Sequence, residues 1–373
     1  MNYFPTYLAL GEAFCNRKDE LKRLLHNIEK SIPSLIMSPR RYGKTSLVIN
    51  TLTKFNLLYV HIDLYKALSK EDIEMYILNG IGKLLGKLET APKKLINLAG
   101  EFFASMQIRV VLEKVGIALD FSRRTNTQTD KITILLEALE KLQILASQKK
   151  KKIILFLDEF QVVGDIAKDW SIEAVIREAA QKSQNVVYIF SGSNRHLMEQ
   201  MFCDKKRPFY KLCDLIAIDK ISVEDYSTYI QKSAMLQWGK SLDQDVMEAI
   251  FFVTERHAYY VNKLCSILWQ NDLPNKSSVF EIWQKLILEN KSIVERELEL
   301  LSINQRKILI LLAEQKMVKE PYGKNFATQL NISASSISRA LSGLIAKDYV
   351  CVLENNYHKI LDPLISGVLA QKK

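Results

Sequence analysis

Two groups of residues have the types and the spacing for phosphate chemistry. The first is Ser38-Pro39-Arg40-Arg41-Tyr42-Gly43-Lys44-Thr45, followed by Ser46. It follows the pattern GxxxxGK[ST], with Ser38 where the first glycine is usual. In such a loop the backbone N–H groups wrap the phosphates, and the following helix N-terminus adds positive potential. The lysine reaches the β- and γ-phosphates and the threonine hydroxyl holds magnesium, roles that fall here on Lys44 and Thr45. Gly43 allows close backbone approach. The second group is Leu155-Phe156-Leu157-Asp158-Glu159, an apolar run ending in two carboxylates about a hundred residues further on. Two such carboxylates at a buried strand end are costly unless a cation is near. Asp158 is placed to support magnesium, and Glu159 to orient and deprotonate an attacking water. The plainer alternative for Asp158 is a helix cap.

A third polar cluster, Ser191-Gly192-Ser193-Asn194, also ends an apolar run. Ser191 or Ser193 could sense a γ-phosphate or the water by hydrogen bonding; the alternative is a helix cap. Arg195 and Arg207 are candidates for the cation that neutralises transition-state charge, in cis or from a neighbouring subunit.

These groups need a scaffold that brings distant strand ends together. Leu35-Ile36-Met37 is an apolar run that stops at Ser38-Pro39, where the chain must turn because proline cannot sit in a central strand. A helical pattern starts at Lys44. Runs at 57–64, 153–157 and 186–190 read as buried strands, the continuous apolar character fitting a parallel sheet covered on both faces. A helix is expected over 172–182. Strands alternating with helices imply a parallel α/β sheet. Residues 66–150 are mostly helical, with a hairpin expected over 108–121 around Gly116 and a polar loop over 122–130. From Ser222 to about Asn290 the pattern is helical.

The chain has 373 residues, enough for two or three domains. Its apolar and charged fractions, 48% and 25%, are those of ordinary globular domains. No apolar run approaches a membrane span, and residues 1–15 carry no basic start of a secretory signal. The five cysteines, Cys15, Cys203, Cys213, Cys265 and Cys351, are scattered and include no CxxC pair. That argues against a disulfide framework or a zinc site, and for a reducing cytoplasm. A net charge of +10 favours anionic partners: nucleotide, nucleic acid or an acidic protein.

After Ile303 the texture changes. Helices are expected near 301–312 and 326–330, and a third after Ser333, a good N-cap. Ile337, Leu341, Leu344 and Ile345 form its apolar face, with Ser335, Ser336, Ser338 and Arg339 largely off it. Residues 349–353 and 357–361, turning at Asn355-Asn356, read as a β-hairpin. Three helices and a hairpin make a winged helix-turn-helix, whose hydroxyls and Arg339 suit phosphates and base edges of double-stranded DNA. Residues 301–373 carry ten Lys or Arg against five Asp or Glu, which suits a phosphate surface. The alternative is a winged helix used for protein contact or self-assembly.

Taken together the chain resembles the archaeal-type ATPase family of STAND and AAA+ P-loop proteins, found in archaea and bacteria. Residues 14–21 are similar to the family's FxxRxxEL box, which implies that Phe14 and Arg17 lie near the adenine. Residues 39–46 resemble its PRRxGKTS loop and Asp158-Glu159-Phe160-Gln161 its DEFQ element. Ser191-Gly192-Ser193 and Arg207-Pro208-Phe209-Tyr210 are similar to its GS strand end and RPFY-like box. Many members carry an arginine after the aromatic pair; Lys211 and Leu212 follow here, which moves the expected arginine finger to Arg207. Residues 254–260 resemble its TxxHPYY segment, with Ala258 in place of the proline, and Tyr259, Tyr260 and Trp269 are read as helical core.

The expected architecture is α/β: a P-loop NTPase parallel-sheet domain (1–215), a helical lid (216–297) and a C-terminal winged helix (298–373). The expected activity is slow, magnesium-dependent ATP hydrolysis acting as a nucleotide-driven switch. ATP closes the lid and repositions a DNA-associated winged helix. The competing expectation is a signalling ATPase that oligomerises through protein contacts and ignores DNA.

Overall fold

The computed structural model describes residues 3–113, 117–122 and 128–371. The chain divides into two compact units: Arg17–Ser38 with Lys44–Ile218, and Met1–Asn16 with Pro39–Gly43 and Asp219–Lys373. The division passes through the phosphate-loop motif, so Lys44 and Thr45 count with the first and Pro39 to Gly43 with the second.

The first unit is a sheet covered by helices. Its elements are α1 (Lys18–Glu29), β1 (Ser34–Met37), α2 (Lys44–Lys54), β2 (Leu58–Asp63), α3 (Lys70–Leu88), α4 (Pro92–Phe103), β3 (Arg109–Leu112), β4 (Ile117–Asp120), α5 (Gln128–Gln148), β5 (Ile153–Asp158), α6 (Gln161–Ile166), α7 (Ser171–Lys182), β6 (Val186–Gly192), α8 (Arg195–Cys203) and β7 (Asp214–Ala217). Five strands form one parallel sheet in the order β2-β5-β6-β1-β7. Every residue of β1, β5 and β6 is buried, as their unbroken apolar runs require. The edge strand β7 is only partly buried and lacks the fully buried apolar run of the inner strands. It is held by Asp214, which accepts from Arg23 Nε at 2.8 Å and from Asn27 Nδ2 at 2.8 Å, both on α1.

The hairpin expected over 108–121 is β3 and β4, antiparallel with Arg109 opposite Asp120 and Leu112 opposite Ile117; Gly116 lies outside the described residues. The loop expected over 122–130 is shorter than expected, because α5 already begins at Gln128; residues 123–127 are outside the described residues.

The second unit holds α9 (Val223–Trp238), α10 (Gln244–Thr254), α11 (Ala258–Leu268), α12 (Lys276–Glu299), α13 (Ile303–Gln315), α14 (Lys324–Leu330), α15 (Ala334–Ala346), β8 (Val350–Val352), β9 (His358–Ile360) and α16 (Pro363–Ala370). One continuous hydrophobic cluster runs from Tyr226 and Ile250 through Trp283 and Leu298 to Ile337 and Leu369. The segments expected as lid and winged helix therefore share a core. Ser302, Asn275 and Ser333 cap α13, α12 and α15 by accepting from the backbone three residues on. The β8–β9 hairpin pairs Val350 with Ile360, and both turn asparagines, Asn355 and Asn356, take positive φ. Val318 joins the wing by pairing with His358.

The last helix, α16, follows the wing beyond the elements expected from the sequence pattern. Asp362 caps it, accepting from Leu364 and Ile365 N–H groups at 2.8 and 3.2 Å, with Pro363 as its first residue. An Asp-Pro start before an apolar run is a helix signal in its own right.

Candidate functional site

In a parallel sheet the carboxyl ends of neighbouring strands lie side by side, and three of them carry the polar groups singled out above. Asp63 ends β2 opposite Asp158 at the end of β5, and Ser191 lies opposite Ile36 of β1. The chain leaving β1 enters the loop that leads to Lys44 at the start of α2.

Asp158 is the hub. Its side chain is buried, 4% exposed, and both oxygens are engaged. Oδ2 accepts from the Thr45 hydroxyl at 2.7 Å and lies 3.1 Å from His61 Nε2. Oδ1 accepts from the Ser191 hydroxyl and from the Glu159 N–H at 3.0 Å. Burial pushes its pKa up, but hydrogen bonds from His61, Ser191 and Thr45 outweigh that and hold the carboxyl below its usual value. Asp158 is thus an anion with a hydroxyl facing it, the donor set that suits a hard cation such as magnesium.

Lys44 is buried and donates from Nζ to the Ser38 carbonyl at 3.1 Å. Ser38 itself is 2% exposed, and the small side chain in place of glycine fits that burial. Gly43 has φ +94°, a backbone conformation that L side chains rarely adopt. Arg41 also takes positive φ, at 63°. Within the second unit, the Arg41 guanidinium stacks 4.3 Å from the Tyr259 ring centre, and Tyr42 meets His257 edge-on at 4.8 Å. Arg40 is exposed; Pro39 and Ser46 are buried.

Glu159 is half-buried and has φ +52°. Its Oε2 accepts from the Ser193 hydroxyl at 2.7 Å and from Gln161 Nε2. So the structure brings Thr45, Asp158, Glu159, Ser191 and Ser193 into one hydrogen-bonded cluster. Ser191 serves Asp158 and Ser193 serves Glu159. Asn194 is the cap of α8, accepting from the Leu197 N–H at 3.1 Å.

Arg207 lies outside this cluster. Its guanidinium forks onto Glu173, which is fully buried, and sits 5.1 Å from the Trp170 ring centre. Burial raises the Glu173 pKa to about 7 against the pull of Arg207. The neighbouring Phe209 packs with Phe160, Phe190 and Phe202, and Arg177 donates to the Pro208 and Tyr210 carbonyls. Arg195 is the first residue of α8. Phe14 and Arg17 fall in different units; Arg17 is buried and donates to Glu20 at 3.2 Å.

Two cluster members were not proposed as site residues from the sequence: His61, whose ring stacks on Phe156 at 4.8 Å, and Gln161. His61 falls on the run 57–64 read as a buried strand, and only the pairing of β2 with β5 brings it beside Asp158. Gln161 was visible only as the last letter of the DEFQ resemblance. On α15 the faces separate as expected. Ile337, Ala340, Leu341 and Leu344 are buried, while Ser335, Ser338 and Arg339 are exposed and Ser336 is partly buried.

Residues 292–371 match the family model described as "Probable winged helix domain". No curated protein matches the chain. Among solved structures it is similar to the Walker-type ATPase paby2304 of Pyrococcus abyssi, at 17% identity and TM-score 0.72, covering 99% of each chain. It is also similar to the Aeropyrum pernix ORC2 protein in its ADPNP–ADP complexes, at 15% identity and TM-score 0.60, covering 99% of this chain and 96% of that one. The A. pernix ORC1 protein in complex with DNA matches at 12% identity and TM-score 0.50, covering 97% and 94%. The chain therefore has the α/β fold of the Walker-type P-loop ATPases, with a winged helix domain at its C-terminal end.

Proposed function

We propose that the chain binds ATP with magnesium at the loop 38–46, hydrolyses it slowly, and uses the nucleotide as a switch on a DNA-associated winged helix. The observation that carries this reading is the meeting of the Thr45 hydroxyl with the Asp158 carboxylate at 2.7 Å, with Glu159 next in the chain. A buried carboxylate kept anionic and faced by a hydroxyl is the arrangement a magnesium ion needs. Thr45 and Asp158 would hold the ion, which when bound neutralises phosphate charge.

The chain's own groups supply the rest. Lys44, at the start of α2, brings a cation and a helix N-terminus to the phosphates. Glu159 is the carboxylate that orients water and takes its proton. Ser191 keeps Asp158 oriented. Phe14 and Arg17 keep the adenine-side role that the family resemblance implies. Arg207 is read as an anchor for the RPFY segment, since its fork is engaged by Glu173.

The switch reading follows the family resemblance. Within the helical unit, Arg41 packs on Tyr259 and Tyr42 on His257. The parts assigned to ATPase, lid and winged helix remain 1–215, 216–297 and 298–373. DNA binding is supported by the exposed Ser335, Ser338 and Arg339 and by the likeness to the ORC1 protein solved with DNA. The alternative is self-association through the winged helix, with DNA ignored. No helix among the described residues is long and apolar enough to cross a membrane.

The test is Glu159→Gln in an ATPase assay with and without duplex DNA, paired with nucleotide titration. Hydrolysis is expected to fall about 100- to 1,000-fold with ATP affinity retained. Normal hydrolysis by the variant would sink the assignment of Glu159, and a DNA-indifferent wild type with no gel shift would favour the self-association reading.

A further inference from the structure

Gln161 is buried, 6% exposed, in the first turn of α6. Its amide is used at both ends. Nε2 donates to Glu159 Oε2 and reaches the Ser193 hydroxyl at 3.5 Å. Oε1 accepts from the Ser193 backbone N–H at 3.3 Å. Ser193 in turn donates its hydroxyl to the same Glu159 oxygen at 2.7 Å. Glu159, Gln161 and Ser193 therefore close a ring of hydrogen bonds in which one carboxylate oxygen takes two donors.

The surroundings fix that ring. Phe160, between the two acidic-site residues and Gln161, is fully buried and packs on Phe190 at 4.7 Å and Phe209 at 5.4 Å. Its N–H donates to the Ser191 carbonyl at 2.8 Å, which stitches residues 158–161 to the end of β6. Space for the amide is provided by Gly192. A Cβ there would lie 2.7 Å from Gln161 Oε1 and 2.6 Å from the Met198 side chain. Glycine at 192 thus makes room for the glutamine as well as for the methionine. Glu159 also sits at φ +52°, a conformation that a non-glycine residue holds only when its neighbours over-determine it.

We propose that Gln161, with Ser193, is a positioning residue that fixes the Glu159 carboxylate by one oxygen and leaves the other to accept a proton from water. This rests on the reading of Glu159 as the water-activating carboxylate. A catalytic base must be held within a fraction of an ångström of its productive place, and its orienting partner is usually a hydrogen-bond donor on the oxygen not in use. Serine alone, on a short rotatable hydroxyl, fixes a distance. The planar glutamine amide, itself locked by the Ser193 N–H, fixes the plane as well.

The experiment is Gln161→Met, which keeps length and apolar bulk and removes the amide's hydrogen bonds, compared with Ser193→Ala and the double variant. For Q161M we expect kcat to fall about 10- to 100-fold with KM and nucleotide Kd within about twofold of wild type. The double variant is expected to be no slower than the slower single one, because the residues act as a unit. In nucleotide-free protein, urea midpoints of Q161M, Glu159→Gln and their double variant are expected to be non-additive, a readout independent of turnover. If Q161M does not fold, S193A carries the same kinetic comparison. Wild-type kcat in the variant that folds, while Glu159→Gln abolishes hydrolysis, overturns this proposal and leaves the functional reading intact. Normal hydrolysis by Glu159→Gln removes the functional reading first.

Discussion

At the carboxyl ends of the strands, four donors converge on the two oxygens of Asp158, which is 4% exposed. On α15, Ser335, Ser338 and Arg339 stand in solvent above a buried apolar face. The first region is over-determined. Each polar group there has a partner dictated by burial, because an unpaired one costs about 1–3 kcal/mol. The second region is set by the helix period, with Ser335 touching only the neighbouring Ser333 cap at 3.2 Å among the described residues. A buried polar network therefore declares its chemistry through its own partners, whereas an exposed face declares only that it is free to meet something.

Four measurements press on that contrast. The largest expected effect is at Glu159, where loss of the carboxylate should cost about 3–4 kcal/mol of barrier, the fold-change given above. Loss of a surface hydroxyl on α15 should leave hydrolysis unchanged, and a drop there would blur the distinction between the regions.

Next is Arg207→Ala. It leaves buried Glu173, whose pKa burial already raises to about 7, to take a proton without its partner, so stability of the sheet unit should fall by about 1–3 kcal/mol in urea unfolding. Glu173→Gln added to Arg207→Ala should recover part of that loss. A variant of normal stability with sharply reduced kcat would instead reinstate Arg207 as an arginine finger.

The third concerns pH. His257 is buried, and burial first, then the Lys220 and Arg41 charges, lower its pKa to about 3. The unfolded chain takes up that proton near pH 6.5 while the folded chain refuses it. Stability of the helical unit should therefore be fully present above pH 6.5 and decline as pH falls from there toward 3. The loss should reach about 1–2 kcal/mol by pH 5. His257→Phe should flatten this slope, as followed by unfolding midpoints at pH 7 and 5. A slope unchanged by the substitution would mean that His257 is already charged in the fold.

The smallest effect is expected on α15. Arg339→Ala should weaken duplex binding about three- to tenfold at low salt and lower the salt slope by about one ion, with the melting temperature unchanged. No change in slope would place the phosphate contact elsewhere or remove DNA as a partner.

Much of the sheet unit was legible in advance. Strands β1, β2, β5 and β6 announce themselves as apolar runs between turn residues, and the GKT and DE groups mark two strand ends. The wing and its helices were equally readable, since Ser333, Asn355 and Asn356 carry local cap and turn chemistry. Less visible was β7, a four-residue edge strand whose pairing with β1 is held by Arg23 and Asn27 from far along the chain.

The sequence by itself determined which residues have the types and spacing for phosphate chemistry, because spacing in one segment suffices for a loop and a helix start. It also determined the winged helix, whose signals are local. Only the tertiary structure decided who partners whom. Arg207 went to Glu173 and not to the cluster around Asp158 and Glu159, His61 came to Asp158 across 97 residues of chain, and Ser193 and Gln161 met on Glu159. Those pairings depend on strand order, and strand order is set by how the helices cover both faces of the sheet, which no short stretch of sequence encodes.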